Sequence, residues 1–159
     1  MPHITIEYVI MLPVLVLQIF LFPLTAGWLM NIWVDSRRTL ALQESTSHLG
    51  STMQQIYFSL NHATISAGTA MQKSEVPPFI ENYPYTGNAI LRAVSDQPNS
   101  SKVLELTLKL KIVGTTVTTS VTLGQNVVWQ ESTFISNSTN ACIRAEKFTN
   151  GTISLSFGG

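Results

Sequence analysis

Between Tyr8 and Val34 the chain carries no charged side chain, and only Gln18, Thr25 and Asn31 interrupt the run with polar groups. A helix needs about 20 apolar residues to span the hydrocarbon core of a bilayer, and this stretch exceeds that. One carboxylate, Glu7, stands just ahead of the run, and Asp35-Ser36-Arg37-Arg38 follows it directly. A cleavable secretory signal has a basic start, a short apolar centre and a small-residue cleavage site. Here no Lys or Arg precedes residue 37, and nothing after Val34 reads as a cleavage site. The segment therefore reads as retained, and it must be buried against something other than its own small domain.

Helical periodicity continues past the apolar part. Leu42, Leu49, Met53, Ile56 and Leu60 draw a stripe down one face, with Gln43, Glu44, His48, Gln54 and Gln55 opposite. One helix is expected from about Ile4 to about Asn61, roughly 85 Å long at 1.5 Å per residue. Pro13 and Pro23 fall inside its apolar half. Each removes a backbone donor and crowds the preceding turn, so kinks or a locally melted stretch are expected there. Gly27 and Gly50 are further weak points by helix propensity.

From about Gly68 the pattern turns to strands and turns. Val103 to Val113 alternates, with Leu104, Leu106, Leu108, Leu110 and Ile112 on one side and Glu105, Thr107, Lys109 and Lys111 on the other. Further strands are expected at 89–94, 117–123, 127–135, 141–148 and 152–157. Asn150-Gly151 marks a two-residue hairpin between the last two. Trp129 is expected in the core. Six strands without an intervening helix predict an antiparallel sandwich or a sheet wrapped on a helix. The predicted fold is α+β, a lollipop: a helical stem, 1–62, whose apolar part at 4–34 forms a filament core or membrane span. Its far half packs on an antiparallel β-sandwich head, 63–159.

Composition narrows the function. Net charge is zero, so no basic field exists to hold nucleic acid. Cys142 is the single cysteine, which excludes an intrachain disulfide and a thiolate metal cluster, and it reads as a small core residue. His48 and His62 lie about 21 Å apart along a helix and cannot share a metal. With no phosphate-binding loop, no carboxylate pair and no base for Cys142, no catalytic residue, metal site or cofactor is expected, and the chain reads as a non-enzyme. Charged residues are only 11% of the chain, less than half of the roughly 25% of ordinary soluble domains. A hydroxyl-rich, poorly charged surface suits a protein kept soluble by sugar or by neighbouring subunits. Three acceptor sequons begin at Asn99, Asn137 and Asn150, all at predicted turns, and make these candidate N-glycosylation sites.

The opening residues His3-Ile4-Thr5-Ile6-Glu7, followed by the apolar helix, resemble the start of mature archaeal type IV pilins, whose processing region often reads Gln-x-Ser-x-Glu. His3 stands at the Gln position, Thr5 at the Ser position and Glu7 at the Glu position. The small all-β head extends the resemblance more loosely. It implies a structural subunit of an extracellular, cell-surface pilus used for adhesion. Stems would pack into a helical homopolymer, with glycosylated heads outside. It also implies a membrane-anchored stage before assembly, a prepilin peptidase that removes a short basic leader, and the pilus assembly machinery as partners. Glu7 would then register an incoming subunit by pairing with the N-terminal ammonium of a neighbour, because a carboxylate buried in an apolar bundle is costly unless a cation meets it. The alternatives are a single-pass membrane protein anchoring an extracellular β domain, and an archaellum filament subunit. Arg37 and Arg38, just beyond the span, bear on the first of these, since basic flanks favour the cytoplasmic side.

Overall fold

A computed structural model describes residues 3–95 and 100–158, with side chains described from Val9 onward. The fold is α+β. One long N-terminal helix, α1 (His3–Leu60), precedes eight strands: β1 (Gly68–Lys73), β2 (Tyr85–Ala93), β3 (Lys102–Leu110), β4 (Thr116–Leu123), β5 (Val127–Trp129), β6 (Thr133–Ile135), β7 (Cys142–Lys147) and β8 (Ile153–Gly158). By its internal contacts the chain divides into two units, Met1–Arg37 and Arg38–Gly159.

In the second unit the helical stripe is buried as the spacing predicts. Leu42, Leu49, Met53, Ile56 and Leu60 join one core with the inward residues of both sheets. Tyr57, absent from the predicted stripe, is buried beside them. Its hydroxyl donates to Asn126 Oδ1, and Asn126 Nδ2 donates to Asn61 Oδ1 at 2.8 Å, tying the helix end to the β4–β5 turn. Burial pushes the Tyr57 phenol above its usual range, partly opposed by a hydrogen bond at the Gly124 backbone. The helix also buries small hydroxyls. Ser45 donates to the Ala41 carbonyl and Thr52 to the His48 carbonyl, both at 2.9 Å, and Thr46 donates to the Leu42 carbonyl. Each side chain thus satisfies itself four residues back on its own helix, so burying it leaves no orphan donor.

Gly50 is no weak point. A Cβ there would stand 2.8 Å from Val121 Cγ2 on β4, so the missing side chain lets the helix approach the sheet closely. Arg38, at the start of this unit, is held by Glu81, Nε to Oε2 at 2.7 Å, and lies 5.5 Å from the Tyr83 ring centre.

The strands form two four-stranded sheets, ordered β1-β7-β8-β5 and β4-β3-β2-β6. Five features differ from the sequence expectation. First, the run 127–135 is two strands in different sheets, because Gln130-Glu131-Ser132 carries the chain across from one to the other. Second, β5 pairs with β8 in parallel, so the head is not wholly antiparallel. Third, β1 is an additional edge strand whose residues are exposed apart from half-buried Ala70. Fourth, Ile112 is exposed. The alternation of β3 ends at Leu110, where Gly114, at φ +75°, turns the chain and donates from its N–H to the Leu110 carbonyl. The β7–β8 connection is also longer than predicted. Phe148 N–H donates to the Thr152 carbonyl at 2.8 Å, leaving Thr149, Asn150 and Gly151 as a three-residue loop with Gly151 at φ +82°. Where the chain crosses between sheets, the rings of Phe134 of β6 and Phe157 of β8 pack at a tilt, their centres 5.4 Å apart. Trp129 is half-buried against Phe157 at 5.1 Å, on the core as expected.

Candidate functional site

The residues that set this chain apart lie in the first unit. From Val9 to Trp33 every large apolar side chain is exposed, Phe22 reaching 77% and Phe20 67%. The helix is long and apolar enough to cross a membrane, and none of its most apolar window is buried. At about 25 cal/mol per Å² of apolar surface, leaving such side chains in water costs on the order of 1.5–3 kcal/mol each. Burying this surface against lipid or protein is therefore favoured.

Its few polar groups bear on which partner fits. Thr25 Oγ1 reaches both the Leu21 and Phe22 carbonyls, at 3.0 and 2.9 Å, so its hydroxyl is satisfied on its own helix and can enter an apolar environment. Gln18 and Asn31 are exposed and have no hydrogen-bond partner among the described residues. Burying these carboxamides in an apolar setting is favourable only if partners are supplied. Pro13 and Pro23 both lie inside α1, which runs unbroken across them, so no stretch has melted. Each withholds the donor that the carbonyl four residues back, Val9 or Ile19, would otherwise receive. At the far end Arg37 lies over the Trp33 ring, 4.8 Å from its centre. Such cation–π contact lets the guanidinium sit against an aromatic face at the boundary of an apolar zone.

Of the residues singled out for assembly, His3, Thr5 and Glu7 fall within α1, but their side chains lie outside the described residues. Asn99 also lies outside them. Asn137 is exposed in the turn after β6, and Asn150 is exposed in the β7–β8 loop. The Asn150 side chain accepts from the Thr152 N–H at 3.0 Å, closing an Asx turn across its sequon. Asn150-Gly151 predicts the turn from the sequence; the Asx hydrogen bond within it is seen only in the structure.

The histidines do not converge with other ligands. His48 is exposed on the helix, and His62 Nδ1 contacts Thr64 Oγ1 at 2.9 Å. Among the described residues no group of three or more His, Cys, Asp or Glu side chains could hold a metal ion. Cys142 is a free, half-buried thiol on β7. Tyr85, fully buried, donates to the Pro77 carbonyl at 2.7 Å, and burial raises its phenol to about 12 against a smaller opposing contribution from Ser45. Its setting is that of a core anchor. Comparison of the chain with known protein families, characterised proteins and solved structures returned no match.

Proposed function

We propose that this chain is the structural subunit of an extracellular filament of the archaeal type IV pilus kind. Its apolar N-terminal helices bundle with copies of themselves, and the β-rich units lie outside the bundle. The observation that carries this reading is the exposure of every large apolar side chain from Val9 to Trp33, set against a second unit that has its own hydrophobic core. A surface of that length needs an external partner that also tolerates Gln18 and Asn31. Neighbouring helices can donate and accept hydrogen bonds to these groups, whereas lipid tails cannot. The proposed role of Glu7 is registration of an incoming subunit through its N-terminal ammonium, and the bilayer holds the chain before assembly. Prepilin peptidase and assembly machinery, N-glycans on the head and a role in adhesion belong to the same proposal, as does the absence of enzymatic activity.

A single-pass membrane protein is the second reading, favoured by the length and apolarity of the same helix. Against it, Arg37 and Arg38 stand on the head side of the span, and basic flanks favour the cytoplasmic side, which conflicts with an extracellular head bearing sequons. Negative-stain microscopy of material sheared from cells, with identification of the chain by mass spectrometry, separates the two. Thin fibres containing this chain are expected, and Glu7→Ala should lower their yield while leaving the head folded. Recovery solely as detergent-soluble monomers supports the membrane anchor instead.

A further inference from the structure

Four strands lie at sheet edges, and they are not equivalent. β5 and β6 are three residues each, a length that blunts an edge against foreign pairing. β1 and β4 are six and eight residues long. β4, Thr-Val-Thr-Thr-Ser-Val-Thr-Leu, has no charge, proline or glycine, and β1 has one lysine at its last position. Edge strands in soluble proteins are ordinarily protected by such devices.

The hydrogen-bond phase of each ladder identifies the groups left over. Leu110 N–H donates to the Thr115 carbonyl, which lies on the β3–β4 register. Directions alternate along an antiparallel strand, so Val117, Thr119, Val121 and Leu123 bond inward, and Thr116, Thr118, Ser120 and Thr122 aim their N–H and C=O groups outward. Gln54 confirms the phase by donating from Nε2 to the Thr122 carbonyl at 3.2 Å, which closes that end of the edge. Thr116, Thr118 and Ser120 remain open. On β1, Ser74 N–H donates to the Ala141 carbonyl in register with β7. The outward residues there are Thr69, Met71 and Lys73. Each sheet therefore ends in three residues of outward-facing backbone with no hydrogen-bond partner among the described residues, and the two sets are equal in length.

We propose that β1 of one copy adds to β4 of the next, a strand-to-strand contact between heads within the assembly. It rests on the filament reading, which supplies the second copy at high local concentration. The contact is heterologous: each copy uses β1 on one neighbour and β4 on another, so it propagates along an array rather than closing a two-fold dimer. Backbone hydrogen bonds supply the attraction, and neither edge carries a charge that opposes the other. The groove beside β4, lined by Ser47, Ser51 and Gln54 of α1, is polar and open, so an incoming β1 would meet hydroxyl and carboxamide groups there and no charge.

The test uses the full chain in a Cys142→Ser background. Met71→Cys and Thr118→Cys are introduced together and singly, and assembled fibres are treated with a short bis-maleimide. The double variant should give a ladder of covalent dimers, trimers and higher species on a denaturing gel, and neither single variant should. Fibres of the double variant without a ladder overturn the edge contact and leave the stem bundle standing. A dimer from Thr118→Cys alone, signifying a two-fold β4–β4 pair, overturns it as well. Failure of the unmodified chain to form fibres sinks the filament reading and this contact together. Thr118→Pro provides a second arm, because its N–H faces outward and proline is tolerated there on an edge. Beyond the small loss of the exposed Thr107–Thr118 hydroxyl contact at 2.9 Å, it should leave thermal unfolding of the head in place, while raising the critical concentration for assembly roughly fivefold, the weight of one net hydrogen bond. An unchanged critical concentration counts against the proposal.

Discussion

Phe20→Asp and Leu49→Ala change apolar side chains on the same helix, yet they should act on different properties. Phe20 is 67% exposed and Leu49 fully buried. A surface substitution away from caps and networks shifts folding stability by no more than about 0.5 kcal/mol, so Phe20→Asp should leave the head's unfolding transition in place. Its cost appears on assembly. Burying a phenylalanine contributes about 2 kcal/mol, and an aspartate in a helix centre surrounded by apolar groups costs about 3. The total of about 5 kcal/mol is a factor above a thousand in an assembly constant. Leu49→Ala removes a core side chain and should destabilise the head by about 2–5 kcal/mol. Thermal unfolding followed by circular dichroism in mild detergent, paired with pelleting of fibres, reads both quantities. The reasoning fails if Phe20→Asp lowers the head's transition as far as Leu49→Ala does, or if it still pellets at wild-type concentration.

Further outcomes follow from the head. Tyr85 holds its proton more tightly when folded, so its contribution to stability is complete below pH 10 and declines as pH rises towards about 12, by a few kcal/mol at most. Tyr57 acts in the same direction. Melting curves from pH 8 to 11.5 should fall less steeply for Tyr85→Phe than for the parent, and equal slopes would contradict the assignment. Gly50→Leu gains up to about 1 kcal/mol in helix propensity but forces a side chain against Val121, and overpacking costs about 1–3 kcal/mol. Denaturant unfolding should register a net loss, and a gain would refute the close approach. Peptide mass spectrometry of cell-surface material should find glycan on Asn150, whose Asx turn presents the side chain; bare peptides at Asn99, Asn137 and Asn150 would end the glycoprotein proposal.

The legible parts of this chain were those whose burial follows a period. Leu42, Leu49, Met53, Ile56 and Leu60 repeat at helical spacing and Leu104 to Leu110 at strand spacing, and all are buried. β1 has no such pattern, because an edge strand with a single half-buried residue, Ala70, leaves no alternation to read. The division of 127–135 was hidden for a related reason. Val127 and Phe134 are both buried, but in different sheets, and local sequence does not encode the switch. The parallel β5–β8 pairing depends on a partner distant in sequence, which a one-dimensional pattern cannot carry. Gly50 was misread because propensity scales price a glycine by its helix and not by the sheet it faces. The apolar stem, by contrast, was legible in full from composition, since its exposure is the very absence of an internal partner.

Whether copies of this chain bury one another's stems is tested most directly by a spin label at residue 22, the most exposed of the large apolar positions among the described residues of the stem. In a Cys142→Ser background, Phe22→Cys carrying a nitroxide should show dipolar broadening in fibres freed of lipid and detergent. Mixing with excess unlabelled chain should remove that broadening, and the label should be shielded from a water-soluble relaxation agent. Sharp, undiluted spectra from a label open to water in assembled material would contradict the bundled stem.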